Sequence, residues 1–208
     1  HMFWDQVAWI YDLFADGLNR KANRARCDAV AQEISSSDEV LECACGTGLL
    51  SAPIAARCRS LVATDFSAPM LRLAQKKCCR FKNISFEQAD ILHLRFPDNR
   101  FDTVVAANVL HLLDHPEQAL SELRRVCRPG GKLILPTYMN RTGKGKTNAV
   151  SGAIGRAGAD FKREFTPESY RAFLKGAGCA AVRLTVCEGL IPCAVAVVHK
   201  PNAEEVSV

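Results

Sequence analysis

The stretch VLECACGTGLLS, Val40 to Ser51, gathers one acid, two cysteines and two glycines. Three chemistries use such residues: metal ligation by thiolates, dithiol redox exchange, and a glycine turn that lets backbone approach a cofactor. Cys43 and Cys45 stand one residue apart, too close for an unstrained disulfide. The chain has no CxxC, so no metal site is expected. The glycines fit the third chemistry. A short strand ending at Glu42, a turn with Gly46 and Gly48, and a following helix form the layout of a cofactor loop at the carboxyl edge of a parallel sheet. Such a loop calls for an acid about 20 residues on, at the tip of the next strand, to hold ribose hydroxyls. Asp65 in VATDFS stands there. Gly46 to Ser51 lacks the third glycine of a dinucleotide fingerprint, and two glycines alone do not choose between cofactor classes.

The elements that would position these residues follow from periodicity. Phe3, Val7, Ile10 and Phe14 predict an amphipathic helix ending near Gly17, and a second helix is expected from about Arg20 to Ile34. Strands and helices then alternate: EVLECA, helix LLSAPIAARC, SLVATD, helix SAPMLRLAQKKCC with Ser67 as cap, ISFEQAD, FDTVVA, helix PEQALSELRRVC and GGKLILPTYM. This order predicts an α/β fold with a mostly parallel sheet and helices on both faces. Asn140 to Arg163 is glycine-rich and basic with weak apolar periodicity, and is expected to form a lid over an acceptor. Its NRTGKGKT superficially resembles a phosphate loop, but Asn140 replaces the first glycine and no strand-to-helix context surrounds it. TPESYRAFLKGAG reads as a helix capped by Thr166, and CAAVRLTVCEG and LIPCAVAVVHK as a closing antiparallel hairpin.

In VLECACGTG, ATDFSAPMLRLA, FEQADILHLRF and FDTVVAANVLHLLDHPEQALSELRRVCRPGGKLIL the chain resembles the class I S-adenosylmethionine-dependent methyltransferases. The likeness is greatest to the small-molecule group that includes the ubiquinone and menaquinone C-methyltransferases. It implies a Rossmann-like seven-stranded sheet with a reversed terminal strand and an N-terminal helical cap over residues 1–36. The cofactor core would follow over 37–138, the lid over 139–165, and a final helix and hairpin over 166–200. It also implies S-adenosylmethionine as cofactor. Glu42 would then contact the methionine amino group, and backbone at Ala44, Cys45 and Gly46, beside Gly48, would face methionine and ribose. Asp65 would accept both ribose hydroxyls, with Phe66 and Met70 beside the adenine. Asp90 would accept the adenine amino group and Ile91 donate from its backbone, although a plain turn cap also explains Asp90. Asn108 would approach the methionine end. Tyr11 resembles an aromatic that caps the cofactor, or is an ordinary core residue. His111 is the best-placed general base, against the alternative of structural packing, and Tyr138 is expected near the substrate. Ala44 departs from the family's usual first glycine.

Composition bounds the rest. A chain of 208 residues with 48% apolar content suits one domain with a sizeable core. His1 before Met2 reads as an added residue, with no charged-then-apolar leader after it. No apolar run is long enough to span a bilayer, so a soluble, cytoplasmic protein is expected. The net charge of +5, from 27 basic and 22 acidic residues without long like-charge blocks, gives no argument for a nucleic-acid partner. Most of the ten cysteines lie among apolar neighbours, as buried thiols do. The expected function is methyl transfer to a small-molecule acceptor. An RNA or protein methyltransferase and a non-catalytic cofactor-binding scaffold are the alternatives, while a dinucleotide oxidoreductase is disfavoured by Ser51 and the terminal hairpin. Oligomeric state is not legible.

Overall fold

The computed structural model describes residues 20–139, 162–179, 181–189 and 191–202. The first predicted helix, Tyr11 and nearly all of the expected lid lie outside them. The described elements, in order, are α1 (Arg20–Gln32), β1 (Glu39–Cys43), α2 (Ser51–Ala55), β2 (Ser60–Asp65), α3 (Ala68–Lys77), β3 (Ile84–Gln88) and β4 (Phe101–Ala106). A 3₁₀ turn (Leu110–Leu112), α4 (Pro116–Val126), β5 (Cys127–Tyr138), α5 (Pro167–Gly176), β6 (Val182–Cys187) and β7 (Cys193–His199) follow.

The strands form one seven-stranded sheet in the order β3-β2-β1-β4-β5-β7-β6. β1 to β5 run parallel, and β7 is antiparallel to both neighbours, β5 and β6. The Rossmann-like doubly wound architecture expected from the alternation is therefore present. Chain order reverses direction between β1 and β4, and the crevice outside the carboxyl ends of those strands is where such sheets bind ligands.

Each face of the sheet carries its own core. On one, Leu41, Phe101, Val104, Leu120, Leu123 and Leu135 pack with Tyr170 and Leu174 of α5. On the other, Val30, Val40, Ile54, Leu61, Ala74, Val105 and Val197 pack under α1, α2 and α3. These are apolar residues of β1, β4 and β5 buried on both sides, as parallel strands require.

Local signals set the helix starts. Ser67 Oγ accepts from Met70 N at 3.3 Å with Pro69 behind it in the first turn. Thr166 and Ser169 form a reciprocal capping box before α5. Two elements differ from the sequence expectation. α2 is a single short turn beginning at Ser51: Pro53 has no N–H, so the first bond of the turn is Ile54 N to Leu50 O at 3.1 Å. β5 starts at Cys127, three residues before the expected glycines, and its register against β4 slips beyond Phe101. Gly130, at φ +71°, and Gly131, where a Cβ would stand 2.7 Å from Asp102 O, accommodate that irregularity. Among the described residues no helix is long and apolar enough to cross a membrane.

Candidate active site

A cavity of about 590 Å³ opens at the carboxyl edge of the sheet, at the β1/β4 reversal. The loop after β1 forms its floor. Ala44, Gly46 and Gly48 have φ of +54°, +56° and +82°, so the backbone turns sharply away from the strand. At Gly48 a Cβ would stand 3.1 Å from Ala74 Cα, so the loop lies directly on α3. Ala44 occupies a left-handed conformation that costs a non-glycine residue roughly 1–2 kcal/mol. Cys43 and Cys45 are buried there, and burial raises both thiols, Cys43 to about 12. They are inert thiols, not a redox pair. Among the described residues no cysteine is in a disulfide, and no three His, Cys, Asp or Glu side chains gather as a metal site.

Two carboxylates anchor this floor. Asp65 ends β2; its Oδ2 accepts from Gly46 N at 2.8 Å and its Oδ1 from Ser67 N at 2.9 Å. The acid thus fixes both glycine loop and helix cap, while lining the cavity. Glu42, 1% exposed, accepts a hydrogen bond from Ser51 Oγ at 2.6 Å. Burial pushes its carboxyl up to about 8, against the Ser51 bond, with the Asp65 charge adding to the rise. A buried acid held that high is short of a positive partner. The residue that spoils a dinucleotide fingerprint, Ser51, is the one that orients Glu42.

Further round the rim stand Phe66, half exposed although large and apolar, and the buried Met70 and Ile91. Asp90 lines the same wall, and its Oδ1 caps the turn by accepting from Leu92 N at 2.9 Å. The turn-cap reading of Asp90 is realised together with its place in the cavity. Asn108, at φ +52°, donates its backbone N–H to Pro136 O at 2.8 Å. Its side-chain Oδ1 is buried with no hydrogen-bond partner among the described residues. That is an acceptor held for a donor from elsewhere.

The opposite end of the cavity is built by His111, Tyr138 and Arg26. His111 is buried, its Nδ1 lies 3.1 Å from Thr137 Oγ1, and burial lowers its pKa to about 4, so its ring is neutral at physiological pH. Its carbonyl accepts from Lys162 N at 3.0 Å, and Arg163 Nη1 donates to Leu113 O at 2.7 Å. The chain returning from the insertion is therefore tied to the 3₁₀ turn at the cavity rim. Arg26 of α1, 2% exposed, sits over the Tyr138 ring at 5.5 Å.

Comparison with known proteins places this arrangement. A family model described as a methyltransferase domain matches residues 41–135. The demethylmenaquinone methyltransferase of Renibacterium salmoninarum is 37% identical over 142 residues, 66% of this chain and 58% of its own. The phosphatidylethanolamine N-methyltransferase of Cereibacter sphaeroides is 35% identical over 153 residues, 71% of both chains. The chain belongs to the class I S-adenosylmethionine-dependent methyltransferases. A SAM-dependent methyltransferase of Thermotoga maritima shares the methyltransferase fold with a TM-score of 0.73 at 17% identity, over 96% of this chain and 99% of that one. The chain spans little more than half the length of the demethylmenaquinone methyltransferases it matches.

The cavity fits this family's cofactor, S-adenosylmethionine. A methionine ammonium and a sulfonium are cations, and the buried Glu42 and the unpartnered Asn108 Oδ1 are acceptors placed to receive one. Every methyltransferase site residue named from sequence that the structure describes lines the cavity or, as Gly48, holds the loop beneath it. Tyr11 lies outside the described residues. Arg26 and Ser51 were missed. Arg26 had a signal: with Ala22 and Val30 it forms an i, i+4 stripe on the buried face of α1, where a lone cation is out of place.

Proposed function

We propose that this methyltransferase transfers the methyl group of S-adenosylmethionine to a small, largely apolar acceptor, with an aromatic quinol ring as the favoured class. When bound, the cofactor supplies a methyl group already activated on sulfur, so the protein's work is to align the two partners and exclude water. Glu42 and Asn108 Oδ1 hold the methionine end. Asp65 accepts from the ribose hydroxyls through the lone pairs not used by Gly46 and Ser67. Phe66 covers the adenine, with Met70 behind it, and Asp90 and Ile91 read its polar edge. Arg26 supplies the cation on the acceptor side, where it can meet the methionine carboxylate or an ionised acceptor oxygen. His111, neutral and bound to Thr137, is placed to accept a hydrogen bond from the acceptor. Its lowered basicity suits orientation of a hydroxyl more than complete removal of its proton.

The observation that carries this reading is the buried Glu42, raised to about 8 beside the partnerless Asn108 Oδ1. The apolar lining from Val109, Leu112, Leu113 and Tyr138 supports an acceptor with a carbon ring. A second reading, methylation of a phospholipid amine, is favoured by the relative that matches over the larger share of its length. The test is transfer of labelled methyl from S-adenosylmethionine to a short-chain demethylmenaquinol or to phosphatidylethanolamine vesicles. Labelled quinol supports the first reading and labelled lipid the second. Cofactor binding with transfer to neither would leave a binding scaffold.

A further inference from the structure

The helices on the two faces of the sheet carry different charge. On the face covered by α1, α2 and α3, α1 has Arg20, Lys21, Arg24 and Arg26 against a single acid, Asp28. α2 is uncharged, and α3 has Arg72, Lys76 and Lys77 with no acid. Arg80 and Lys82 prolong the α3 run toward β3, and apart from Arg26 all of these cations are exposed. On the other face α4 and α5 balance four basic residues with three acidic ones. Arg72 and Lys76 stand one turn apart on the outer side of α3, opposite its buried Met70, Leu71 and Ala74. Among the described residues, Lys21, Arg24, Arg72, Lys76 and Lys82 have no acid within ion-pair distance, and Arg80 lies over the Phe81 ring at 4.8 Å. The band reaches the cavity. Lys77 Nζ lies 3.4 Å from Thr47 Oγ1 of the cofactor loop, and the half-exposed Phe66 stands at the rim just before the cap of α3.

We propose that the α1–α3 face docks this protein on the surface of a bilayer that contains anionic phospholipid. Solvation explains single surface lysines, but it does not explain why one face of a sheet keeps its cations unneutralised while the other balances them. An extended polyanion answers the whole band at once, and lipid phosphates spread over a surface are one. A nucleic acid would meet the same charge, yet unpaired bases call for exposed aromatic platforms. On this face Phe66 is the one exposed aromatic among the described residues, and Phe81 lies beneath Arg80. The choice of lipid also rests on the proposed apolar acceptor, which a bilayer would hold beside the cavity mouth. The attraction reaches only about a Debye length, roughly 8 Å at physiological ionic strength, so the docking is reversible and sensitive to salt.

The experiment sediments the full chain, with neither cofactor nor acceptor, with vesicles of phosphatidylcholine alone and of phosphatidylcholine mixed with phosphatidylglycerol. The expected result is binding to the mixed vesicles, little to the neutral ones, and release at high salt. Arg72→Glu combined with Lys76→Glu should weaken binding to mixed vesicles by about tenfold or more, with melting temperature and S-adenosylmethionine affinity unchanged. Arg171→Glu combined with Lys175→Glu makes the same charge change at the same spacing on α5. That pair should leave vesicle binding within about twofold. A fluorophore on exposed Cys79, which follows the α3 stripe, should lose access to a soluble quencher on mixed vesicles, a readout that needs no charge reversal. No binding to mixed vesicles, equal loss from the two paired variants, or a Cys79 label that stays open to quencher on bound protein would each overturn the proposal. So would binding of single-stranded RNA in place of vesicles. No methyl transfer is read, so failure of the docking is distinct from failure of the proposed activity.

Discussion

The two edges of the sheet carry buried charge in opposite ways. Among the described residues, the buried and half-buried charges of the amino edge are answered. Lys200 Nζ, after β7, donates to Arg124 O at 2.8 Å, Cys127 O at 2.7 Å and Asn99 Oδ1 at 2.7 Å. Arg125 bridges Glu122, Asp98 and the carbonyls of Leu94 and Phe96. Asp38 accepts from Thr103 Oγ1 at 2.8 Å and from Ser35 N at 3.1 Å. A second cavity of about 310 Å³ lies there, yet its lysine is already committed to those acceptors. At the carboxyl edge Glu42 lacks a cation, Asn108 Oδ1 lacks a donor, and Ala44 and Asn108 hold left-handed backbone. One edge has spent its polar groups on the fold, while the other keeps them for a ligand and tolerates strain to present them.

Substitutions at the two edges should therefore separate affinity from stability. The largest effect is expected at Asp65. Asp65→Ala removes a charged acceptor worth about 1.5–3 kcal/mol per hydrogen bond, so cofactor binding should weaken by about a hundredfold or more. Equilibrium binding by calorimetry checks this, and an unchanged dissociation constant would place the adenosine elsewhere.

The next effect is a pH dependence at Glu42. With its carboxyl at about 8 in the cofactor-free fold, Glu42 is protonated below that pH, and a bound cation must displace the proton. Affinity should rise with pH, at most about tenfold per unit, until about pH 8 and then level off. The stability of the cofactor-free protein should run the other way. Between the ordinary carboxylate range and pH 8 the folded chain binds a proton that the unfolded chain has released, so stability falls as pH rises. Glu42→Gln should flatten both profiles. Retention of the slopes in that variant would assign them to another group.

At the amino edge, Lys200→Met should leave cofactor affinity intact and lower stability. Two carbonyls lose their donor, and partial access to water limits the cost to about 1–3 kcal/mol. The melting temperature should fall by roughly 2–12 °C. A change in affinity without a change in melting would erase the contrast between the edges. The smallest effect is a gain. Ala44→Gly relieves left-handed strain of roughly 1–2 kcal/mol and gives back about 0.5–1 kcal/mol in unfolded-state entropy. Denaturant unfolding should therefore show a net stabilisation of about 0.5–1 kcal/mol.

This contrast marks what the sequence could disclose. Strand alternation, the Ser67 and Thr166 caps and the reversed hairpin are written in short-range patterns, so the sheet was legible from apolar period and punctuation alone. Glu42, Gly46 and Asp65 were legible because strand tips are fixed points in such a sheet. The partnerships that give the site its character were not. Ser51 meets Glu42 across a turn, Asn108 loses its partner by burial, and Arg26 reaches the cavity from a helix before the first strand. These depend on distances between elements, which periodicity does not encode. The irregular start of β5 was hidden for a related reason: Pro129 and the two glycines after it read as a turn, and only pairing with β4 extends the strand through them.

The central claim is that the carboxyl edge is kept unsatisfied for a cationic sulfur cofactor. It is tested most directly by calorimetric titration at a pH above 8, where Glu42 is ionised before ligand arrives. S-adenosylmethionine and its demethylated product should each saturate a single site, NAD should give no binding heat, and the sulfonium form should lose most on Glu42→Gln. Saturable binding of NAD with no response to either sulfur compound would contradict the account.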